Sequence, residues 1–454
     1  MKRLMLAVAM IGLTSGCGVL SGKEKPKTPT IGKRIAVLAG ETSVEVDPAL
    51  ADVSISLPAI TANEQWAQPG GNAAKSVGHV ALGANLTRVW SASIGAGGTT
   101  RARLGAAPVV ADGRVYAIDT SATVRAFDAG TGARVWAATV GTEEARKGGG
   151  NGFLGRGANS NSGILFGGGV SFDNGRVYAT SGIGDVAAFD AATGKQLWQV
   201  RPGGPLRGAP TIALGAVYVI SQDNQLYALG QDDGKTLWTG SGTAELAGVF
   251  GNGAPAVAQG TVVAGFSSGE LSAYRYENGR ILWQDALART SISTAVAALS
   301  DIDAEPVIDN GRVYAIGQGG RMVALELNTG QRIWEINLAG IATPWVAGEW
   351  LFVVDDNAQL FAIARSSGKI KWTTQLPRYR DQKDKKGPLT WYGPVLAGDR
   401  LVLLNSLGVI TNVSPLDGKV QSTVDTDMAV SLPPVVAGNT LYILHDEGQL
   451  TAWR

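Results

Sequence analysis

Two carboxylates separated by one residue, in Asp301-Ile-Asp303, are the pair in this chain that most invites a chemical reading. Acids at that spacing open a calcium loop, but such a loop needs glycine at its sixth position and Pro306 stands there. On residue types alone, two acids in a turn are solvated or cap local backbone amides. Gly150-Asn-Gly-Phe-Leu-Gly155 satisfies a dinucleotide pattern, yet it follows no clear strand and opens no helix. Gly230-Gln-Asp-Asp-Gly-Lys-Thr236 imitates a phosphate loop with one residue too few between its glycines, and it falls in a repeat turn. Two histidines, His79 and His445, and one cysteine, Cys17, make no zinc set, so no metal site is expected. His445 reads as a hydrogen-bonding turn residue. No arrangement of nucleophile, base and orienting group stands out.

The elements that would carry these residues come from a repeat. A Gly-containing turn is followed four residues after its glycine by tryptophan: Thr131–Trp136, Thr193–Trp198, Asp233–Trp238, Asn278–Trp283, Thr329–Trp334 and Ser367–Trp372. A period of roughly 40 residues marks a repeat architecture. One unit, Pro108 to Trp136, parses into four short strands joined by Asp-Gly and Thr-Gly turns, the sequence cue for a propeller blade. Second-strand cores recur at Val115, Val177, Val217, Val262, Val313, Leu351, Leu401 and Leu441, which predicts eight blades, with seven as the competing count. The seventh unit has Ser422 where tryptophan is expected, and the eighth stops after its third strand at Arg454. A spare tryptophan strand, Thr87 to Ile94, stands at the other end of the repeat. The expectation is an all-β, eight-bladed propeller closed by that N-terminal strand, since closure removes exposed sheet edges. Trp90, Trp136, Trp198, Trp238, Trp283, Trp334 and Trp372 are expected to pack between neighbouring blades rather than to meet a ligand.

Only 17% of the 454 residues are charged and the formal net charge is +1, so no basic footprint recommends a nucleic-acid partner. Lys2 and Arg3 precede the apolar run Leu4 to Leu13, the form of a secretion signal. Leu13-Thr-Ser-Gly-Cys17 resembles a bacterial lipobox, with Cys17 as the site of lipid attachment, palmitate included. Gly18 follows it where inner-membrane lipoproteins of enteric bacteria carry Asp, which by analogy directs the protein to the outer membrane. The domain expectation is a signal peptide over 1–16, a lipid-anchored tether over 17–60 and the propeller over 61–454. Residues 35–57 have the alternation of a segment lying along the domain surface. Two stretches break the period: a Gly/Asn-rich insertion at 141–169 and a basic loop at 378–388. Long loops are where function concentrates, although each also reads as a solvated excursion.

The repeat A-x-D-x-x-T-G-x-x-x-W resembles that of pyrroloquinoline-quinone (PQQ) enzymes, whose eight blades ring the cofactor. Those enzymes commonly carry a vicinal disulfide, which one cysteine cannot form. The chain is more similar to the BamB family, lipoproteins of the outer-membrane β-barrel assembly (BAM) machinery. Ala297-Ala-Leu-Ser-Asp-Ile-Asp-Ala-Glu-Pro-Val307 is similar to a family loop. Val249-Phe-Gly-Asn-Gly-Ala-Pro255 occupies the place of a second family stretch, with Phe250 where the family has arginine. The resemblance implies a non-catalytic scaffold on the periplasmic face of the outer membrane, without cofactor. It implies binding to the periplasmic (POTRA) domains of the barrel-assembly protein BamA, alongside other BAM lipoproteins and unfolded outer-membrane proteins. Asp301 and Asp303 are then acidic contacts, and Val249 and Phe250 neighbouring ones. The alternative is a PQQ-dependent dehydrogenase on the same fold. A further alternative is a sensor or cell-wall-binding propeller that uses the 141–169 insertion.

Overall fold

The computed structural model describes residues 44–100, 102–141, 167–244, 251–287 and 300–454. Cys17, Val249, Phe250 and nearly all of the 141–169 insertion lie outside the described residues. Eight four-stranded antiparallel sheets follow one another: blades 1 (109–139), 2 (168–200), 3 (211–241), 4 (256–286), 5 (307–336), 6 (345–375), 7 (391–425) and 8 (435–453). Blade 8 takes its outer strand, Arg88–Ser93, from the segment just ahead of blade 1, and Trp90 pairs with Ala452 there. The all-β propeller, its eight blades and its closing strand are thus as the repeat predicts.

The repeat unit folds this way for local reasons. The second strand of each blade is covered on both faces, so Val115, Tyr116 and Ala117 are all buried. The outer strand has one face in solvent, and its register shifts by a residue just before each repeat tryptophan, as between Ala126 and Phe127. That bulge adds twist at a sheet edge, leaves Val135 outward and turns Trp136 inward. Each repeat tryptophan then donates its indole N–H to a carbonyl of the next blade: Trp90 to Ala129, Trp136 to Ala191, Trp198 to Gln231, Trp238 to Tyr276, Trp283 to Leu327, Trp334 to Arg365 and Trp372 to Pro415, at 2.7–3.1 Å. The ring lies on the turn glycine of that next blade. At Gly132, Gly194, Gly234, Gly279, Gly330, Gly368 and Gly418 a Cβ would come within 2.5–2.8 Å of the indole, and every one of these glycines has positive φ.

This geometry accounts for Ser422. A tryptophan in blade 7 would need the turn between the third and outer strands of blade 8. Blade 8 has no such turn, because its outer strand comes from Arg88–Ser93.

Hairpins between the first and second strands, and between the third and outer strands, open on one face of the ring, here the turn face. The connections from each outer strand to the next blade's inner strand open on the opposite crossover face. The described residues 251–255 and 300–306, and the hairpin of Tyr379–Asp381 with Lys386–Pro388, belong to crossover connections.

Two segments ahead of the repeat pack against the ring, one on its surface as the 35–57 alternation suggests and one inside it. Residues 44–51 lie along the outer strand of blade 6: Val46 bridges Ile370 in parallel, and Lys371 Nζ donates to the carbonyls of Leu50 and Ala51. Residues 61–81 then make one turn around the ring axis, bonding to the inner strand of every blade. Asn63 pairs with Val436 and Gly438 of blade 8, Trp66 with Val110 of blade 1 and Ala67 with Phe172 of blade 2. Gln68 pairs with Ile212 of blade 3, Ala73 with Val257 of blade 4 and Ala74 with Ile308 of blade 5. Gly78 accepts from Trp345 of blade 6, and Val80 pairs with Leu396 and Gly398 of blade 7. The turn closes on itself where Ala81 N–H meets Thr61 O. Backbone groups along the inner strands, which have no fifth strand to pair with, are satisfied by this central strap.

Candidate functional site

The acidic pair lies in the crossover connection between blades 4 and 5. From 301 to 305 the residues alternate: Ile302 and Ala304 are buried among apolar side chains of the blades, and Asp301, Asp303 and Glu305 carry the charge. Ile302 fits against Gly265 of blade 4, where a Cβ would meet its side chain at 2.5 Å. This anchor turns both aspartates inward. Their side chains are 1% and 9% exposed.

The guanidinium that meets them comes from a residue the sequence did not single out. Arg207, in the connection before blade 3, is fully buried. Its Nη2 donates to Asp303 Oδ1 at 2.9 Å and stands 3.6 Å from Asp301 Oδ1, while its Nε donates to Gly251 O at 3.3 Å. Gln318 Nε2 donates to the other oxygen of Asp303 at 2.8 Å, and Gln318 N–H to the carbonyl of Asp301 at 2.9 Å. Burial pushes the Asp303 carboxyl up to about 6; Arg207 opposes that rise and the neighbouring Asp301 adds to it.

Gly251-Asn-Gly253 packs against this cluster through missing side chains. A Cβ at Gly251 would overlap the Asp303 carboxylate and the Arg207 guanidinium, and one at Gly253 would sit 2.9 Å from Asp303 O. Gly208 makes the reciprocal approach to Asn252. Crossover connections of three successive blades therefore close around one arginine. The structure brings Asp301 and Asp303 beside the 251–255 end of the second stretch that the sequence picked out. Arg207 could have been found only from its setting, because Leu206-Arg-Gly-Ala-Pro210 looks like any other blade entry.

A second buried cation stands nearer the axis. Lys75, on the strap, donates to Pro69 O at 3.0 Å and Thr211 Oγ1 at 3.1 Å. Burial pushes its ammonium down, and Glu305 pulls it back up. Glu305 is driven the other way by burial, with Lys75 opposing. Gly70, at φ +67°, packs against both side chains.

The histidines are structural. His79 accepts from Asp399 N–H through Nε2 at 3.0 Å, so its Nδ1 donates to Pro58 O at 2.9 Å. His445, fully buried, reaches Met428 O and Thr451 Oγ1, as a hydrogen-bonding turn residue would. Among the described residues no three His, Cys, Asp or Glu side chains converge as a metal site. At the turn-face end the strap occupies the inside of the ring, with Trp66 stacked on Trp345 at 6.0 Å between ring centroids. The basic hairpin is exposed, with Asp381 Oδ1 accepting from the turn amides of Lys383 and Asp384.

The chain is an eight-bladed propeller whose turn-face end is filled by its own strap and which gathers a buried arginine and two aspartates beneath described crossover residues. The family profile described as outer membrane protein assembly factor BamB matches residues 76–141 and 120–374. The chain is 30% identical to BamB of Yersinia pestis over 370 residues, covering 81% of this chain and 88% of that protein. It is also 30% identical to BamB of Escherichia coli K12, covering 80% and 87%. Among solved structures, BamB from Moraxella catarrhalis superposes with a TM-score of 0.66 at 20% identity, over 82% of this chain and all of that one. A europium-containing methanol dehydrogenase shares the fold at a TM-score of 0.62 and 15% identity, over 84% and 89%. The chain belongs to the BamB family.

Proposed function

We propose that this protein is an outer-membrane protein assembly factor, a non-catalytic scaffold that binds the periplasmic domains of the barrel-assembly protein BamA and assists insertion of β-barrel proteins. Family membership supports the assembly role. The observation that carries the binding site is the convergence of the 251–255 and 301–305 segments on the crossover face. Val249 and Phe250 immediately precede the first of these segments and Asp301 and Asp303 belong to the second. Because both aspartates face Arg207, their contribution to binding runs through the placement of these loops. The signal over 1–16, lipid at Cys17 and a tether to the outer membrane complete the reading, with unfolded outer-membrane proteins as clients.

Co-purification from detergent-solubilised membranes tests it. Wild-type chain should retain the barrel-assembly protein, and the Asp301→Ala/Asp303→Ala double variant should lose most of it. Equal recovery by the two would remove the site assignment. Recovery of a respiratory cytochrome in place of the barrel-assembly protein would move the dehydrogenase reading ahead.

A further inference from the structure

We infer that Arg207 and Lys75 are positioning residues that hold the acidic run 301–305 in its binding-competent place from two directions, one from the neighbouring crossover connection and one from the central strap. The inference rests on the functional reading above and adds residues that reading does not contain.

Three observations carry it. First, the run presents its acids at alternate positions, Asp301, Asp303 and Glu305, with Ile302 and Ala304 pinned among the blades. A slip by one residue would put carboxylates into the apolar contact between blades 4 and 5, so the alternation fixes register. Second, the two cations come from elements far apart in sequence. Arg207 takes Asp301 and Asp303, and Lys75 packs beside Glu305 over Gly70, where a Cβ would lie 2.9 Å from the lysine side chain and 3.0 Å from Glu305 Oε2. The strap also bonds directly to the strand that follows the run, through Ile308 N–H to Ala74 O at 2.9 Å and Ser76 Oγ to Asp309 Oδ1 at 3.0 Å. Third, the cluster is poorly arranged for stability alone. Three carboxylates face two cations, and Arg207 Nη1 is buried without a hydrogen-bond partner among the described residues. Apolar residues of similar volume are often equally or more stabilising than a buried ionic group, and local violations of good packing concentrate at functional sites. Gly251 belongs to the same device, since its lack of a Cβ is what lets Asp303 reach Arg207.

The test uses the full chain and two readouts. Amide hydrogen exchange on the free chain reports the loop without any partner. Binding to the isolated periplasmic domains of the barrel-assembly protein reports function. Arg207→Met should raise exchange at 300–306 and 251–255, leave blade 8 protected, and weaken binding by roughly tenfold or more. Arg207→Lys, which keeps a cation, should recover most of the binding. Lys75→Met should raise exchange over 303–308 and weaken binding by a smaller factor. Gly251→Ala should reproduce the Arg207→Met pattern while removing no charge. Ile443→Val, in the distant core of blade 8, should lower stability and change neither readout. Should Arg207→Met fail to fold, Gln318→Leu, which loses only the bond to Asp303, takes its place. Unchanged exchange in Arg207→Met (or in Gln318→Leu, where that stands in), or equal losses in Arg207→Met and Arg207→Lys, would overturn the inference. If the wild-type chain does not bind the periplasmic domains, the functional reading fails instead, and the exchange results still decide the positioning role.

Discussion

The outer belt and the inner cluster hold this ring together by opposite means. In the belt, one device recurs seven times: an indole lies on a turn glycine of the next blade and donates to a carbonyl there. Among the described residues the inner cluster occurs once. It gathers a buried arginine, a buried lysine and three carboxylates from crossover connections and the strap. Repetition suits stability, because each interface contributes and the sum closes the ring. Singularity suits recognition, because a partner needs one distinguishable place on a nearly symmetric body.

Three changes should separate the two regions. The largest effect is expected in the belt. Trp283→Ala removes a buried indole and leaves Leu327 O without its donor, which should cost about 3–5 kcal/mol in urea unfolding. Well below the melting point its binding to the barrel-assembly partner should stay as in wild type; parallel loss of binding would mean that belt and cluster are not separable.

Asp303→Asn sharpens the comparison from the other side. Its carboxyl sits at about 6 when folded, against 3.8 for an unperturbed aspartate. A raised acid binds its proton more tightly in the folded chain. Its stabilising contribution is therefore complete below 3.8 and is lost as pH rises through about 6. The stability of wild type relative to Asp303→Asn should fall by roughly 1 kcal/mol between pH 5 and 7.5. A difference that stayed constant, or grew, would show that Asp303 is not held in the buried setting described. Smallest is Lys371→Ala at the edge of blade 6, which removes two bonds to the carbonyls of Leu50 and Ala51. It should cost about 0.5–1 kcal/mol and raise hydrogen exchange at 46–53 while 61–81 stays protected.

What the sequence could tell divides along the same line. Blade number, the closing strand and the tryptophan contacts were legible because a repeat states its rule many times. Even the exception at Ser422 becomes intelligible once blade 8 is seen to lack the turn that a tryptophan there would cover. The Asp301-Ile-Asp303 run was legible as a site only through family resemblance, and its burial against Arg207 was not. Arg207 lies 94 residues before Asp301 in sequence and has no motif of its own. The strap was invisible for a related reason. Residues 61–81 have neither helical nor strand periodicity, since the bonding positions along them meet successive blades around a circle. Within the tether, the alternation over 35–57 suggested a segment lying along the domain surface, and residues 44–51 of it are seated on the outer strand of blade 6.

Photocrosslinking from single positions on the two faces asks whether the crossover face meets the barrel-assembly protein. Probes at Asn252 and Ser300, on the crossover face, should crosslink to the periplasmic domains in intact cells, and probes at Asp112 and Asn310, on the turn face, should not. Crosslinks from the turn face alone, or from neither face, would mean that the partner does not dock on the crossover loops.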